Sequence, residues 1–206
     1  MRVLSHRGYW RQAGEKNTVA AFERTLSFGF GTETDVRDRL GELVVSHDPA
    51  SPQAMPWADL LKMFDGRGCP LAVNIKADGL SQLLAQSFAD RNIDWFAFDM
   101  SGPETFRYAQ AGLPFFTRHS DIEERPVCYA EAKGVWLDGF VSDWHDNDTV
   151  LRHLDAGKFV CIVSSELHGR SYEALWDRLS DIQDQTGRVM LCTDHPERAR
   201  EYFGSD

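Results

Sequence analysis

Several things are missing from this chain of 206 residues. No apolar run reaches the roughly 20 residues that a membrane-crossing helix needs, so stable membrane insertion is not expected. Positive charge is short: 22 Lys and Arg face 32 Asp and Glu, a formal net charge of -10. Such a chain repels phosphate-rich surfaces, which argues against general binding of nucleic acid or anionic membranes. A small phosphorylated molecule is still compatible if a local cation cancels the field. Cysteine is sparse, and none of Cys69, Cys128, Cys161 and Cys192 pairs at zinc-site or thioredoxin spacing. They read as buried, reduced thiols. No linker, low-complexity tract or repeat interrupts the chain, so residues 1–206 read as one domain. No charged segment, apolar segment and cleavage site precede the first candidate strand, so a cytoplasmic protein is expected. Ser164-Ser165 with His168 lacks the glycines of a nucleophile elbow, which removes a serine-hydrolase reading.

What is present is a regular alternation. Hydrophobic residues make up 42% of the chain, enough for a sizeable core. Short runs rich in Val, Ile, Leu and Phe predict strands at residues 2–5, 31–36, 71–75, 95–98, 114–117, 135–137, 159–163 and 189–192. A further extended piece, 43–46, joins the second strand through Leu40-Gly41. Helical patterns fall between them: one opened by Asn17-Thr18 and closed by Gly29, then 57–64, 80–89, 104–111, 149–156, 172–182 and 197–202. Residues 121–133 have no clear period and read as a loop. Eight strands alternating with helices predict a compact α/β protein, a single (β/α)8 TIM barrel, with an open doubly wound sheet as the rival.

In a barrel, reactive groups stand at the carboxyl ends of the strands. His6 ends the first strand. Glu33 and Asp35 lie near the end of the second and, two apart, point to the same side. Paired carboxylates repel unless a cation or proton lies between them, and a hard divalent ion with oxygen ligands fits. The bland alternative is a surface salt bridge to Arg37 or Arg39. His47-Asp48 ends an apolar row. Two histidines and two carboxylates supply an acid, a base and a cation site, the equipment for breaking a phosphodiester bond. His119, His145, His153, His168 and His195 read as structural or peripheral.

The ordered set His6-Arg7-Gly8, Asn17-Thr18, Glu33-Thr34-Asp35 and Ser46-His47-Asp48, with the closing Cys192-Thr193-Asp194-His195-Pro196, resembles the glycerophosphodiester phosphodiesterase family. That family lies within the phospholipase-C-like phosphodiesterases. The likeness is strong over the first quarter and the last fifteen or so residues. It implies a TIM barrel, a bound divalent ion (Mg²⁺ in preference to Ca²⁺), His6 and His47 as the acid–base pair, and Glu33 and Asp35 on the metal. Arg7 resembles a phosphate contact. The implied partner is a small phosphodiester such as a glycerophosphodiester.

Two departures stand out. The family's third strand reads Glu-x-Lys (Asp in some branches), and its acid is the third metal ligand. Here the segment is Asn74-Ile75-Lys76. An amide oxygen ligates Mg²⁺ or Ca²⁺ but brings no charge, so Asp99, ending the fourth strand, is the candidate for an added carboxylate. The helix opening reads Glu15-Lys16-Asn17-Thr18 where the family has Pro-Glu-Asn-Thr. Lys76 and Arg118 are candidate phosphate contacts, and Trp136 a candidate stacking surface. Two other readings remain: a degenerate barrel that binds a phosphorylated ligand without turnover, and a sugar or amide hydrolase using Glu33 and Asp35 directly. The second fits poorly, because the two carboxylates share one strand face.

Overall fold

Alternation along the strands decides what faces inward. In β1 (Arg2–His6), Leu4 and His6 point one way, and Val3 and Ser5 the other. The same period of two governs every long strand. The computed structural model describes residues 1–182 and 186–204. Its parallel strands are β1, β2 (Gly31–Arg39), β5 (Leu71–Ile75), β6 (Trp95–Phe98), β7 (Phe116–His119), β8 (Gly134–Leu137), β9 (Phe159–Val163) and β10 (Val189–Thr193). Two antiparallel pieces extend from the end of β2: β3 (Glu42–Val45) pairs with β2, and β4 (Met55–Pro56) pairs with β3.

Pairing runs β5-β2-β1-β10-β9-β8-β7, with β6 on the far side of β5. Between β6 and β7 the contact is one parallel bridge, Ala97 to Phe115, supported by Ala97 N–H on Pro114 O at 3.0 Å. The result is a barrel-like α/β arrangement. Among the described residues there are seven α-helices: α1 (Val19–Ser27), α2 (Trp57–Phe64), α3 (Ser81–Phe88), α4 (Gly102–Gln110), α5 (Asn147–Asp155), α6 (Glu173–Leu179) and α7 (Pro196–Phe203). The connection from β7 to β8 carries no helix, as its irregular sequence predicts. No described helix is long and apolar enough to cross a membrane.

Three apolar clusters follow from the alternation. One packs α2, α3 and α4 on the outward faces of β2, β5 and β6, through Leu61, Phe64, Val73 and Tyr108. A second packs α5, α6 and α7 on β8, β9 and β10, through Val150, Leu175, Trp176 and Leu191. The third fills the interior with Leu4, Phe96, Phe98, Phe116, Trp136 and Met190. Phe96 stacks on Phe116 and Phe98 on Trp136, both at 3.7 Å between ring centres. Burying a side chain of that class stabilises by about 1.5–3 kcal/mol. Gly134 has no room for a Cβ, which would lie 2.6 Å from the Phe116 ring.

Element boundaries moved where local chemistry outweighed pattern. β2 runs on to Arg39 because Val36 to Arg39 pair antiparallel with Val45 to Glu42. The expected strand at 114–117 starts at Phe116, since Pro114 has no N–H to give. α5 starts at Asn147, two residues early, because the Asp146 carboxylate accepts from Thr149 N–H at 2.8 Å. The helix expected over 172–182 stops at Leu179. Cys69, Cys161 and Cys192 are buried and free, and Cys128 is free but only partly buried.

Candidate active site

At the carboxyl ends of the strands lies a cleft of about 240 Å³ lined by His6, Arg7, Glu33, His47, Asn74, Lys76, Asp99 and Trp136. The inward parity of each strand puts them there. A larger cavity, about 490 Å³, opens at the amino ends of β1 and β2 around Arg2, Phe30, Asp94 and Arg200. It carries no acid–base set.

His6 is held from behind. Its Nδ1 is 2.7 Å from Asp194 Oδ1, and its Nε2 lies 3.9 Å from Glu33 Oε2. Burial works to raise the Asp194 pKa, but the His6 hydrogen bond and the charges of His6 and Lys16 outweigh it and the net shift is downward. Lys16 Nζ stands 3.6 Å from Asp194 Oδ2. Asp194 was visible in the sequence only as part of the closing motif. Its function as the partner of His6 depends on β10 pairing in parallel with β1, which no local signal announces.

Glu33 and Asp35 are fully buried. Burial, and then the charge of Asp35, pushes Glu33 up to about 7. Glu33 Oε2 accepts the Arg7 backbone N–H at 3.1 Å. Asp35 is surrounded: Arg7 Nε is 3.0 Å from Oδ2, Asn17 Nδ2 donates to Oδ2 at 2.8 Å, and Lys76 Nζ is 3.4 Å from Oδ1. Its partners are Arg7 and Lys76, while Arg37 instead donates to the Lys76 carbonyl at 2.9 Å. Asn17 is a residue the sequence placed at a helix start; Thr18 caps α1, and Asn17 bridges Asp35 and Thr34 Oγ1. Arg7, Asn17 and Asp99 all hold positive φ, between 57° and 67°, a conformation kept where the surroundings enforce it.

Asn74 pairs in register with Asp35. Its Nδ2 donates to Asp99 Oδ2 at 3.3 Å, and its Oδ1 is buried with no hydrogen-bond partner. Asp35 Oδ1 also accepts no hydrogen bond. Asn74 Oδ1 is free, whereas Asp35 Oδ1 already faces the Lys76 ammonium; with the buried Glu33 carboxylate they are hard oxygen donors of the type Mg²⁺ or Ca²⁺ takes. Among the described residues no three His, Cys, Asp or Glu side chains are disposed to hold a metal ion, so the set reaches three only with the amide. Asp99 is otherwise engaged, with Oδ1 2.6 Å from Arg118 Nη1.

The remaining expected residues divide. Trp136 is in the cleft but 4% exposed, a floor stacked on Phe98. Arg118 is not among the cleft-lining residues. Asp99 and Glu123 both bind its guanidinium and draw it into a small neighbouring recess. His47 reaches the rim on the β2–β3 hairpin, which Ser46 N–H ties to Asp35 O at 3.2 Å. Its Nδ1 is 2.9 Å from Asp48 Oδ1, and its side chain is 43% exposed.

One histidine read as peripheral lies in the cleft. His168 Nε2 is 2.7 Å from Asp138 Oδ1, and that hydrogen bond raises the His168 pKa. The inward parity of β8 signals Asp138; His168 comes from a short 3₁₀ turn (Ser165–His168) that has no period to read.

No protein-family model and no curated protein matches the chain. Solved structures do. The glycerophosphodiester phosphodiesterase from Agrobacterium tumefaciens str. C58 superposes with a TM-score of 0.71 at 17% identity, over 100% of both chains. A phosphodiesterase from Oleispira antarctica, in complex with the product sn-glycerol-3-phosphate, gives 0.71 at 14% identity over 100% of this chain and 97% of its own. The chain has the fold of these phosphodiesterases. At such low identity the shared backbone carries no residue role with it, and the chemistry rests on the geometry of this cleft.

Proposed function

We propose that this chain is a phosphoric diester hydrolase of the glycerophosphodiester phosphodiesterase type, a single closed (β/α)8 domain acting in the cytoplasm on a small diester. The observation that carries the reading is the meeting, in one cleft, of a carboxylate-backed His6, a second histidine at the rim, the Glu33 carboxylate and two cations held from behind by the buried Asp35. The Oleispira antarctica enzyme's bound product makes a glycerol phosphate ester the first substrate class to try.

Arg7 and Lys76 hold the phosphate oxygens and offset their charge. His6 and His47 divide the proton transfers. The Asp194 carboxylate takes Nδ1–H of His6, which leaves the Nε2 lone pair facing the cleft. Through Nε2, His6 takes the proton of the attacking oxygen, either water or a neighbouring hydroxyl of the substrate. A new P–O bond forms, the bond to the departing alcohol breaks, and His47, protonated, gives that alcohol its proton. Glu33, Asp35 and Asn74 would hold a divalent ion, with Asp99 orienting the amide so that Oδ1 is the atom left for it. When bound, such an ion adds positive charge opposite the developing phosphorane charge.

A second reading has one specific support. Asp35 already faces two cations and an amide, and Asn74 supplies no charge, which suits a cleft that binds a phosphate ester without turning it over. The test is turnover of a panel of small phosphodiesters by metal-stripped protein, with and without Mg²⁺, Ca²⁺ or Mn²⁺, and with His6→Ala alongside. Ion-restored turnover that His6→Ala abolishes is the expected outcome. Tight binding of sn-glycerol-3-phosphate with no turnover under any ion would replace it with the second reading.

A further inference from the structure

Resting on that reading, we propose that His168, fixed by Asp138, recognises the alcohol portion of the diester through Nδ1 and sets the specificity of the cleft for a small aliphatic polyol.

Position comes first. The phosphate-holding cations and carboxylates stand on or beside β1, β2 and β5. In the pairing order β5-β2-β1-β10-β9-β8, Asp138 follows β8, four strands from β2, and His168 follows β9, four strands from β5. The pair therefore faces the cleft from the wall opposite the phosphate site. Whatever extends from the phosphorus toward that wall is an ester substituent.

Chemistry comes second. His168 Nε2 is spent on Asp138 Oδ1, which also accepts Gly139 N–H at 2.8 Å. Among the described residues Nδ1 has no partner, so it is the ring nitrogen left for a ligand. The apolar part of the cleft lining is Phe98, Trp136, Phe140, Val163 and Leu167, and the Phe140 ring lies 5.1 Å from the His168 ring. One oriented polar group amid aromatic and aliphatic walls suits a short carbon chain bearing a hydroxyl. The cleft of about 240 Å³ leaves little space beyond a phosphate and a few carbons.

Rigidity comes third. Arg170 ties the two loops together, donating to Gly139 O at 2.6 Å and Phe140 O at 3.1 Å and pairing with Asp143 at 3.1 Å. The Asp121 carboxylate accepts the N–H groups of Phe140, Val141 and Ser142 at 2.7–3.0 Å. Gly139 admits no side chain, since a Cβ would lie 2.3 Å from Ser142 O. Such bracing suits a contact whose position must be fixed before the ligand arrives.

The experiment compares a glycerophosphodiester with bis(p-nitrophenyl) phosphate, a diester without a hydroxyl, in the Mg²⁺-supplied protein. The expected result for His168→Gln is a fall of about tenfold in the ratio of their kcat/KM values, carried by KM of the glycerophosphodiester. Asp138→Asn moves the ratio the same way by a smaller factor. An unchanged ratio, whether both activities fall together or neither does, overturns the proposal while leaving the hydrolase reading standing. If the wild-type protein turns over neither diester, the hydrolase reading fails and the proposal fails with it. Should His168→Gln fold poorly by thermal melting, calorimetry on Asp138→Asn decides. Weaker binding of sn-glycerol-3-phosphate with unchanged binding of inorganic phosphate supports the proposal. Equal loss of both overturns it.

Discussion

Histidines occupy two regions of this molecule, and the regions treat them in opposite ways. In the cleft, His6 and His168 each face a carboxylate, Asp194 and Asp138, at 2.7 Å. On α5, the buried His153 has no carboxylate partner: its hydrogen bonds run to His119, Nδ1 at 3.0 Å from Nε2, and Tyr129, Oη at 2.8 Å from Nδ1. His145, nearby, is buried with Nδ1 unpartnered. Burial, then neighbouring cationic groups, brings His145 and His153 down to about 4. The same side chain is thus paired with a carboxylate in one place and held neutral by burial in the other. What differs is the partner and its access to solvent.

His6→Ala should lower kcat by about 10³-fold, and Asp194→Asn by about 10–100-fold, with little change in melting temperature. Steady-state kinetics beside a thermal melt checks this, and a loss that tracks unfolding would assign His6 a structural role. Asn74→Asp sharpens the cleft side. It replaces the amide that donates to Asp99 with a second carboxylate. The ion-free protein should melt lower and the gain in stability on adding Mg²⁺ should grow, with affinity rising about tenfold by calorimetry. No change in affinity would remove Asn74 from the ion site.

The buried pair makes a prediction of its own sign. A histidine lowered to about 4 on folding takes up its proton at higher pH when unfolded, where the ordinary value is about 6.5. Its contribution is present above about 6.5 and is lost as the pH falls toward 4. Each such group should cost about 2 kcal/mol at pH 5 relative to pH 7.5, read by urea unfolding at the two pH values. His153→Gln should flatten the dependence; an unaltered slope would count against burial as its origin. The smallest effect is expected from Tyr129→Phe, which removes one hydrogen bond from His153. A loss of about 1 kcal/mol in stability is expected, with turnover unchanged.

Much of this was legible in the sequence. The strand and helix order follows from apolar runs and their breaks, because strands buried on both faces are written almost entirely in Val, Ile, Leu and Phe. The inward parity of β1, β2 and β5 likewise puts His6, Glu33 and Asn74 on the strand faces that meet in the cleft. What escaped depends on contacts between distant segments. Asp194 is 188 positions from His6. His168 belongs to a short turn and acquires meaning only from Asp138, which follows β8. Arg118 has the right residue type at a strand end, but the two carboxylates beside it decide where its guanidinium goes. A strand's alternation reports direction and says nothing of competing partners.

The single bridge between Ala97 and Phe115 has a mechanical meaning. Every other parallel joint of the sheet carries three to five residue pairs. Strand separation is cheapest where the fewest bonds resist it, and this seam has the fewest strand-to-strand pairs of the parallel joints. The ion pair of Asp99 and Arg118 straddles it, one partner following β6 and the other on β7. It works as a clasp across the seam. Because Asp99 also holds the Asn74 amide, one carboxylate joins the weakest seam of the sheet to the carboxylate end of the cleft.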